Sequence, residues 1–184
     1  MKNKFNFLGL ILITFLVSCS TSEEEQIKEE LTTLGSTQIG LIDDQRILDA
    51  ESEPGNWLAH GRTYEERRFS PLTGINKENV SELGLVWSKD MGTNRALEAT
   101  PIVVDGIMFF TSTWSRVYAV DALTGETIWK FDPKVPGEWA RKACCDIVNR
   151  GVAVYNGKVY SASLDGRLFA INAETGELVW EVDT

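Results

Sequence analysis

The chain has 184 residues, of which 43% are hydrophobic and 24% are charged, and it contains six tryptophans. This composition is that of a folded protein, and the length suits one ordinary domain. The net charge of −9 provides no basic surface for phosphate groups, so the sequence excludes a nucleic-acid-binding role.

The first nineteen residues have the pattern of an export signal. Lys2 and Lys4 precede the apolar run from Phe7 to Val17, which is shorter than the roughly 20 residues needed to span a bilayer. The run ends in Leu-Val-Ser-Cys, which resembles the bacterial lipoprotein motif and makes Cys19 a candidate lipidation site. We therefore predict a lipoprotein signal peptide at residues 1–19, with the protein anchored by its lipid to a membrane facing the periplasm. The alternative is that Cys19 is an incidental residue of a cleaved peptide.

Residues 20–50 are predicted to form an acidic tether that ends in a short helix. Glu23-Glu24-Glu25 is typical of a solvated linker. Asp43 and Asp44 can cap a helix that follows them, and Pro54-Gly55 ends it. The folded domain is predicted to occupy residues 51–184.

From about residue 100 the sequence changes to short β segments separated by turn residues. The spacing predicts four strands in about 32 residues, which is typical of an antiparallel meander. The predicted strands are Ile102–Val104, Ile107–Thr111, Val117–Val120 and Thr127–Phe131.

The same pattern occurs twice. A shift of 51 places residues 103–132 on residues 154–183, and the two copies agree at eleven of thirty positions without a gap. Four strands per repeat at this period indicate β-propeller blades. The predicted fold class is therefore all-β, with only about the first two blades of a longer propeller present. The alternative is that two-blade units assemble into a ring, since a propeller closes with typically 4–8 blades.

Each copy also contains a Thr-Gly pair and a tryptophan, and the sequence predicts a structural role for both. Thr-Gly at 124–125 and at 175–176 predicts a tight turn in which glycine supplies a positive φ. Trp129 and Trp180 then lie on the last strand of each blade, where a large ring can dock against the next blade. Leu85-Val86-Trp87 resembles a degenerate earlier copy of that strand.

Two adjacent cysteines, Cys144 and Cys145, lie in the connection between the blades. With Cys19 acylated, an exported chain leaves them no partner but each other. A disulfide between neighbours forms a strained eight-membered ring, and strain of this kind tends to occur at functional sites. The alternative is two free thiols packed as small hydrophobic groups.

Four stretches of the sequence form a further pattern: residues 56–72, Leu97-Glu98-Ala99-Thr100-Pro101, Cys144 to Gly151, and the repeated Ala-x-[DN]-Ala-x-Thr-Gly-Glu-x-x-Trp. Together they resemble the pyrroloquinoline-quinone (PQQ)-dependent alcohol dehydrogenases, the methanol/ethanol family of quinoproteins. The tryptophan repeat alone is shared with non-catalytic propellers, whereas the adjacent cysteines followed by Arg150 are specific. The resemblance covers residues 56–184.

The resemblance implies an eight-bladed propeller with the quinone near its axis. In such a protein a Cys144–Cys145 disulfide ring lies flat against one face of the quinone. Arg150 pairs with a carboxylate of the cofactor, and Glu98 meets another polar edge. These four residues are the candidate cofactor-binding residues.

The resemblance also implies oxidation of a small primary alcohol to an aldehyde, with hydride transfer to the quinone and electrons passed to a cytochrome c. Calcium, or a lanthanide in some members, acts as Lewis acid, and haem c is present if a C-terminal cytochrome domain follows. The family's metal ligands and catalytic aspartate are expected beyond Thr184, so no catalytic or metal-binding residue is assigned in this chain. Asp146 is interpreted as a loop cap, Asp165-Gly166 as a hairpin turn and His60 as structural.

A second function is consistent with the repeats and the lipid anchor alone. A lipoprotein propeller that acts as a scaffold in outer-membrane protein assembly shares both features and is not an enzyme. Such a scaffold has no use for a strained cysteine pair beside Glu98 and Arg150, which favours the dehydrogenase.

Overall fold

The structure, a computed structural model, describes residues 39–184. The predicted signal peptide, the lipidation site at Cys19 and most of the predicted tether lie outside the described residues. Within residues 39–184, no helix is long and apolar enough to cross a membrane. Helix α1 spans Asp44–Leu48, and short 3₁₀ turns occur at Ala50–Ser52, Val80–Glu82, Thr113–Ser115 and Gly137–Arg141.

In the described part of the chain, eight strands form two four-stranded antiparallel sheets with the orders β1-β2-β3-β4 and β5-β6-β7-β8. This confirms the predicted meanders and their repeat. Strand β3 continues one residue beyond its predicted end because Ile107 pairs with Asp121. The strands are β1 Ile102–Val104, β2 Ile107–Thr111, β3 Val117–Asp121, β4 Thr127–Phe131, β5 Ala153–Tyr155, β6 Lys158–Ala162, β7 Arg167–Asn172 and β8 Leu178–Asp183.

The core is built from alternate residues of the strands. In β2 the residues at positions 107, 109 and 111 are buried while those between them are half-buried, which is the period-two pattern of a sheet with one better-covered face. Phe109 and Phe169 occupy the centre and are at most 1% exposed. The last strand, β8, is exposed along its whole length.

The predicted docking of tryptophan between blades is confirmed for Trp129. Its indole Nε1 donates a hydrogen bond to the carbonyl oxygen of Ala173 at 2.9 Å, and the ring lies against Gly176 of the second sheet. A Cβ added to Gly176 would come within 2.7 Å of that ring, and the glycine has φ +75°. Gly176 is therefore required twice, by its backbone conformation and by the approach of the indole.

Trp87 docks on the first sheet in the same way. Its Nε1 donates to the carbonyl oxygen of Ala122 at 3.2 Å, and its ring leaves no room for a Cβ at Gly125. The expected strand around it is not formed, because no strand of the described residues pairs with Leu85 and Val86, which are each 83% exposed. The degenerate copy thus keeps the docking tryptophan without the strand.

The fold begins before the predicted boundary at residue 51. Asp43 caps α1 by accepting the Arg46 N–H at 2.8 Å, as its position predicted. Ile42 is fully buried in the common core, however, and its carbonyl oxygen accepts the N–H of Asn156 at 2.8 Å. Residues 39–50 are therefore part of the packed domain and not of a tether, because they cover the β5–β6 turn with both apolar and backbone contacts.

Arg46 connects this N-terminal segment to the first sheet. Its guanidinium lies 2.8 Å from Glu53 and 2.7 Å from Asp105, the turn residue between β1 and β2. The hydrogen bond from Arg46 lowers the pKa of the Glu53 carboxyl below its usual range. A lowered pKa in the folded state means that Glu53 contributes stability above its unfolded pKa of about 4.3 and loses it as the pH falls through the folded pKa.

Replacing Arg46 with glutamine is expected to lower the free energy of unfolding by about 1 kcal/mol at pH 7, the upper end for partly exposed ion pairs. The deficit relative to the parent should shrink as the pH falls, because Glu53 becomes protonated in the parent as well once the pH is below its lowered pKa. Urea denaturation of both proteins at pH 7 and at a series of lower pH values measures this. Arg67→Gln is the matched control, since Arg67 pairs with Glu51 while 58% exposed, and a deficit independent of pH would contradict the prediction.

Candidate active site

The adjacent cysteines lie in the long connection between β4 and β5, after the 3₁₀ turn Gly137–Arg141. The connection is anchored by Ile147, whose side chain is fully buried. Its carbonyl oxygen accepts the N–H of Trp114 at 3.1 Å. The segment after the cysteines is thus held against the turn that follows β2.

Asn149 and Thr111 hold the same segment at its other end. The Asn149 side-chain Nδ2 donates to Ser115 Oγ at 2.9 Å and to the carbonyl oxygen of Ala162 at 2.7 Å. The hydroxyl of Thr111 lies 2.9 Å from the carbonyl oxygens of both Asn149 and Gly151. The ends of β2 and β6 therefore fix the course of residues 147–151. Neither residue was predicted as part of the site from the sequence, although Asn149 is part of the stretch that carries the resemblance.

Both cysteines are exposed, and their Sγ atoms lie 2.7 Å apart. The disulfide ring stays a prediction. The hydrogen bond with Cys144 raises the pKa of the Cys145 thiol, and the charge of Glu98 raises it further, while the charge of Arg150 lowers it. The Cys145 thiol thus lies within the electrostatic range of both other candidate residues.

Glu98 and Arg150 form an ion pair, with Arg150 Nη2 2.5 Å from Glu98 Oε2. Their side chains are 35% and 68% exposed, so the pair lies at the surface of the described domain. Glu98 is on the irregular segment that leads into β1, and Arg150 is on the anchored connection. The structure brings all four candidate residues into one region, whereas their role towards a cofactor stays a prediction.

A second ion pair joins Arg95 to Asp146. Asp146 has φ +70°, and its Oδ1 accepts the N–H of Ile147 at 2.8 Å, which confirms its interpretation as a loop cap. Arg95 could not be predicted from the sequence, because a single arginine on an irregular segment has no local pattern.

Asp165-Gly166 forms the predicted turn, whereas the interpretation of His60 as structural stays a prediction. Gly166 completes the turn between β6 and β7 with φ +85°, and Asp165 pairs with Arg167 at 2.7 Å, which confirms the predicted hairpin turn. His60 is exposed, and its carbonyl oxygen accepts the indole N–H of Trp57 at 3.2 Å.

The chemistry of the four residues fits a flat, carboxylate-bearing ligand. Arg150 has five N–H donors, and its side chain is mostly exposed. Among residues 39–184 its guanidinium donates one hydrogen bond, to Glu98, so further donors are available to an anionic group. The exposed sulfur atoms of Cys144 and Cys145 offer a polarizable surface for a planar ring. Among residues 39–184, no group of three or more histidine, cysteine, aspartate or glutamate side chains could hold a metal ion.

Comparison with known proteins identifies the family of this domain. Residues 57–182 match the protein family described as "PQQ: Glucose/ethanol/alcohol dehydrogenase, beta-propeller domain". The chain is 56% identical over 143 residues to the quinohemoprotein alcohol dehydrogenase ADH-IIG of Pseudomonas putida, covering 78% of this chain and 20% of that protein. It is 55% identical over 130 residues to the 1-butanol dehydrogenase (cytochrome c) of Thauera butanivorans, covering 71% and 19%.

Solved structures of alcohol dehydrogenases are also similar to this chain. The structure of ADH-IIG from Pseudomonas putida HK5 superimposes with a TM-score of 0.79 at 54% identity, covering 81% of this chain and 22% of that chain. A europium-containing methanol dehydrogenase superimposes with a TM-score of 0.71 at 36% identity, covering 76% and 25%. The chain thus spans about a fifth of the length of the curated relatives that it matches.

Proposed function

Because this chain belongs to the family of PQQ-dependent alcohol dehydrogenase β-propellers, we propose that it is the N-terminal part of a quinoprotein that oxidises primary alcohols to aldehydes. The proposal rests above all on one observation. Arg150, on the connection that carries the adjacent cysteines, forms an ion pair with Glu98, and all of these residues lie inside the residues that match the family. The identity to dehydrogenases favours this function over the scaffold alternative.

The residues of this chain would form one wall of the cofactor site. Arg150 would bind a carboxylate of the quinone through the guanidinium donors that Glu98 does not use. Glu98 would keep the guanidinium oriented and meet a neighbouring polar edge. Cys144 and Cys145, as the predicted disulfide ring, would cover one face of the planar cofactor and exclude water from it.

The bound quinone supplies the hydride acceptor for alcohol oxidation. This chain's contribution is binding and orientation, since the family's catalytic aspartate and metal ligands are expected in the remainder of an eight-bladed propeller. Calcium or a lanthanide is proposed as the metal, the second option supported by the europium-containing neighbour.

Electron transfer and location are part of the same proposal. A relative named as a cytochrome c-dependent 1-butanol dehydrogenase supports a cytochrome c as electron acceptor. The quinohemoprotein relatives support haem c in an attached cytochrome domain. The sequence of residues 1–19 supports export and a lipid anchor at Cys19, with the enzyme facing the periplasm.

An activity assay of the full-length gene product tests the proposal. The purified protein, incubated with PQQ and either Ca²⁺ or a lanthanide, is expected to reduce a redox dye when a primary alcohol is added. Omission of the quinone is the control and should abolish the reaction. Absence of alcohol-dependent dye reduction with both metals would disprove the dehydrogenase function.

A further inference from the structure

Two ion pairs connect the same two segments of the chain. Arg95 contacts Asp146, and Glu98 contacts Arg150. Arg95 and Glu98 lie on the irregular segment before β1, and their partners lie on the connection that carries the cysteines. Each segment therefore contributes one positive and one negative side chain. Only the second pair has a place in the proposed cofactor site. The first pair lies directly beside Cys144 and Cys145, because Asp146 is the next residue in the chain.

Asp146 is the point at which the anchored part of the connection ends. On its C-terminal side Ile147 is fully buried, and its carbonyl oxygen is held by Trp114. On its N-terminal side Cys144 and Cys145 are exposed. The direction in which the cysteines leave the anchor therefore depends on the left-handed backbone of Asp146, with φ +70°, and on what its carboxylate contacts.

The Asp146 carboxylate contacts both sides of the site. Its Oδ1 accepts the N–H of Ile147 at 2.8 Å and also contacts Arg95 Nη1. Arg95 lies three residues before Glu98 on the same segment. The carboxylate thus joins the turn that carries the cysteines to the segment that carries Glu98.

We propose that Arg95 and Asp146 are positioning residues, which hold the adjacent cysteines in a fixed orientation towards Glu98 and Arg150. This role rests on the proposed function, which identifies the region of the four candidate residues as a cofactor site. Arg95 and Asp146 are 45% and 33% exposed, and exposed ion pairs contribute little to global stability. The effect of the pair is therefore expected in the local geometry of the thiols and not in the unfolding free energy.

Thiol–disulfide exchange with glutathione measures how the Cys144 and Cys145 thiols are placed relative to each other, and it needs no quinone. In the reaction the two cysteine thiols lose two protons and two electrons to glutathione disulfide, which becomes two glutathione thiols. The equilibrium constant gives the effective concentration of each cysteine thiol for the other. It is measured on the full-length protein at a series of glutathione ratios, with the reduced and oxidised forms quantified by intact mass after acid quenching.

The variants are Arg95→Gln, Asp146→Asn, the double variant and Arg95→Lys. Asparagine tolerates a positive φ and keeps an oxygen that can accept the Ile147 N–H, so it removes the ion pair without removing the turn. We expect each single variant to lower the effective concentration by roughly 3- to 10-fold, and the double variant to be no worse than either, as for residues that act through one contact. Arg95→Lys should recover most of the loss.

The variants would behave differently if Arg95 and Asp146 affected the thiols only through their charges. Asp146→Asn leaves a positive charge beside the thiols and Arg95→Gln leaves a negative one, so the two variants would shift the exchange constant in opposite directions. Opposite shifts, an unchanged constant in both variants, or a parent protein that forms no ring at any glutathione ratio would each overturn the proposal. Lys142→Gln is the control, since it breaks an ion pair with Glu138 just before the cysteines, and should leave the constant unchanged.

Quinone affinity separates this proposal from the proposed function. We expect Arg95→Gln and Asp146→Asn to weaken PQQ binding to the full-length protein by a factor similar to their effect on the exchange constant, with recovery in Arg95→Lys. A parent protein that binds no quinone disproves the proposed function alone, because the glutathione equilibrium still tests the positioning pair.

Discussion

Replacing Arg150 with glutamine is expected to raise the Kd for PQQ by roughly 10- to 150-fold, the range for loss of a hydrogen bond to a charged group. The physical reason is that the guanidinium keeps donors free for a carboxylate after it has paired with Glu98 at 2.5 Å. Glutamine keeps polarity but removes both the charge and the fork of parallel donors. The Kd is measured by quenching of tryptophan fluorescence in the full-length protein.

Two further variants make the result specific. Arg150→Lys keeps the charge but not the planar fork, so its Kd is expected between those of the parent and the glutamine variant. Arg141→Gln removes an exposed arginine from the turn before the cysteines and should leave the Kd within about twofold of the parent, as expected for a surface substitution. A Kd for Arg150→Gln within that same range would remove Arg150 from the cofactor site.

Replacing Trp129 with alanine is expected to lower the free energy of unfolding by about 3–5 kcal/mol, as for large buried aromatic residues. Trp129 is 8% exposed, packs against Phe109 with the rings tilted by 43° and their centroids 5.9 Å apart, and donates to the carbonyl oxygen of Ala173 across the two sheets. Its loss therefore removes one of the main contacts between the blades, beside others such as that of Phe131 with Phe169. Urea denaturation followed by far-ultraviolet circular dichroism measures the change.

The glycine on the other side of the same contact provides the partner experiment. Gly176→Ala is expected to cost about 1–3 kcal/mol because alanine is strained at φ +75° and its Cβ would meet the Trp129 ring. The clash disappears when the indole is absent, so the double variant should be more stable than the sum of the two single effects predicts. Leu123→Ala is the control, since Leu123 is 77% exposed, and strict additivity of the two changes would contradict the proposed contact.

The blades could be predicted from the sequence because their signals are local. Alternation of apolar residues defines the strands, and Thr-Gly defines the turn before each docking tryptophan. The predicted start of the domain at residue 51 was too late. Ile42 is buried through its contacts with the β5–β6 turn, and that turn is more than 100 residues away in the sequence, so no local pattern indicates the burial. The strand expected at residues 85–87 did not form, since a strand depends on a neighbour that no local pattern supplies.

The repeat, the glycine turns and the docking tryptophans were determined by the sequence itself, as each depends on residues a few positions apart. The cofactor-binding candidates were named from a resemblance, and only the tertiary structure decided how they meet. Glu98 and Arg150 are 52 residues apart in the chain, and Arg95 and Asp146 are 51 apart. No local rule pairs charges at such distances, because the partner of an exposed charge is set by the path of the backbone. That path depends here on the buried Ile147 and on the hydrogen bonds of Asn149, which hold the cysteine segment beside the segment that carries Glu98.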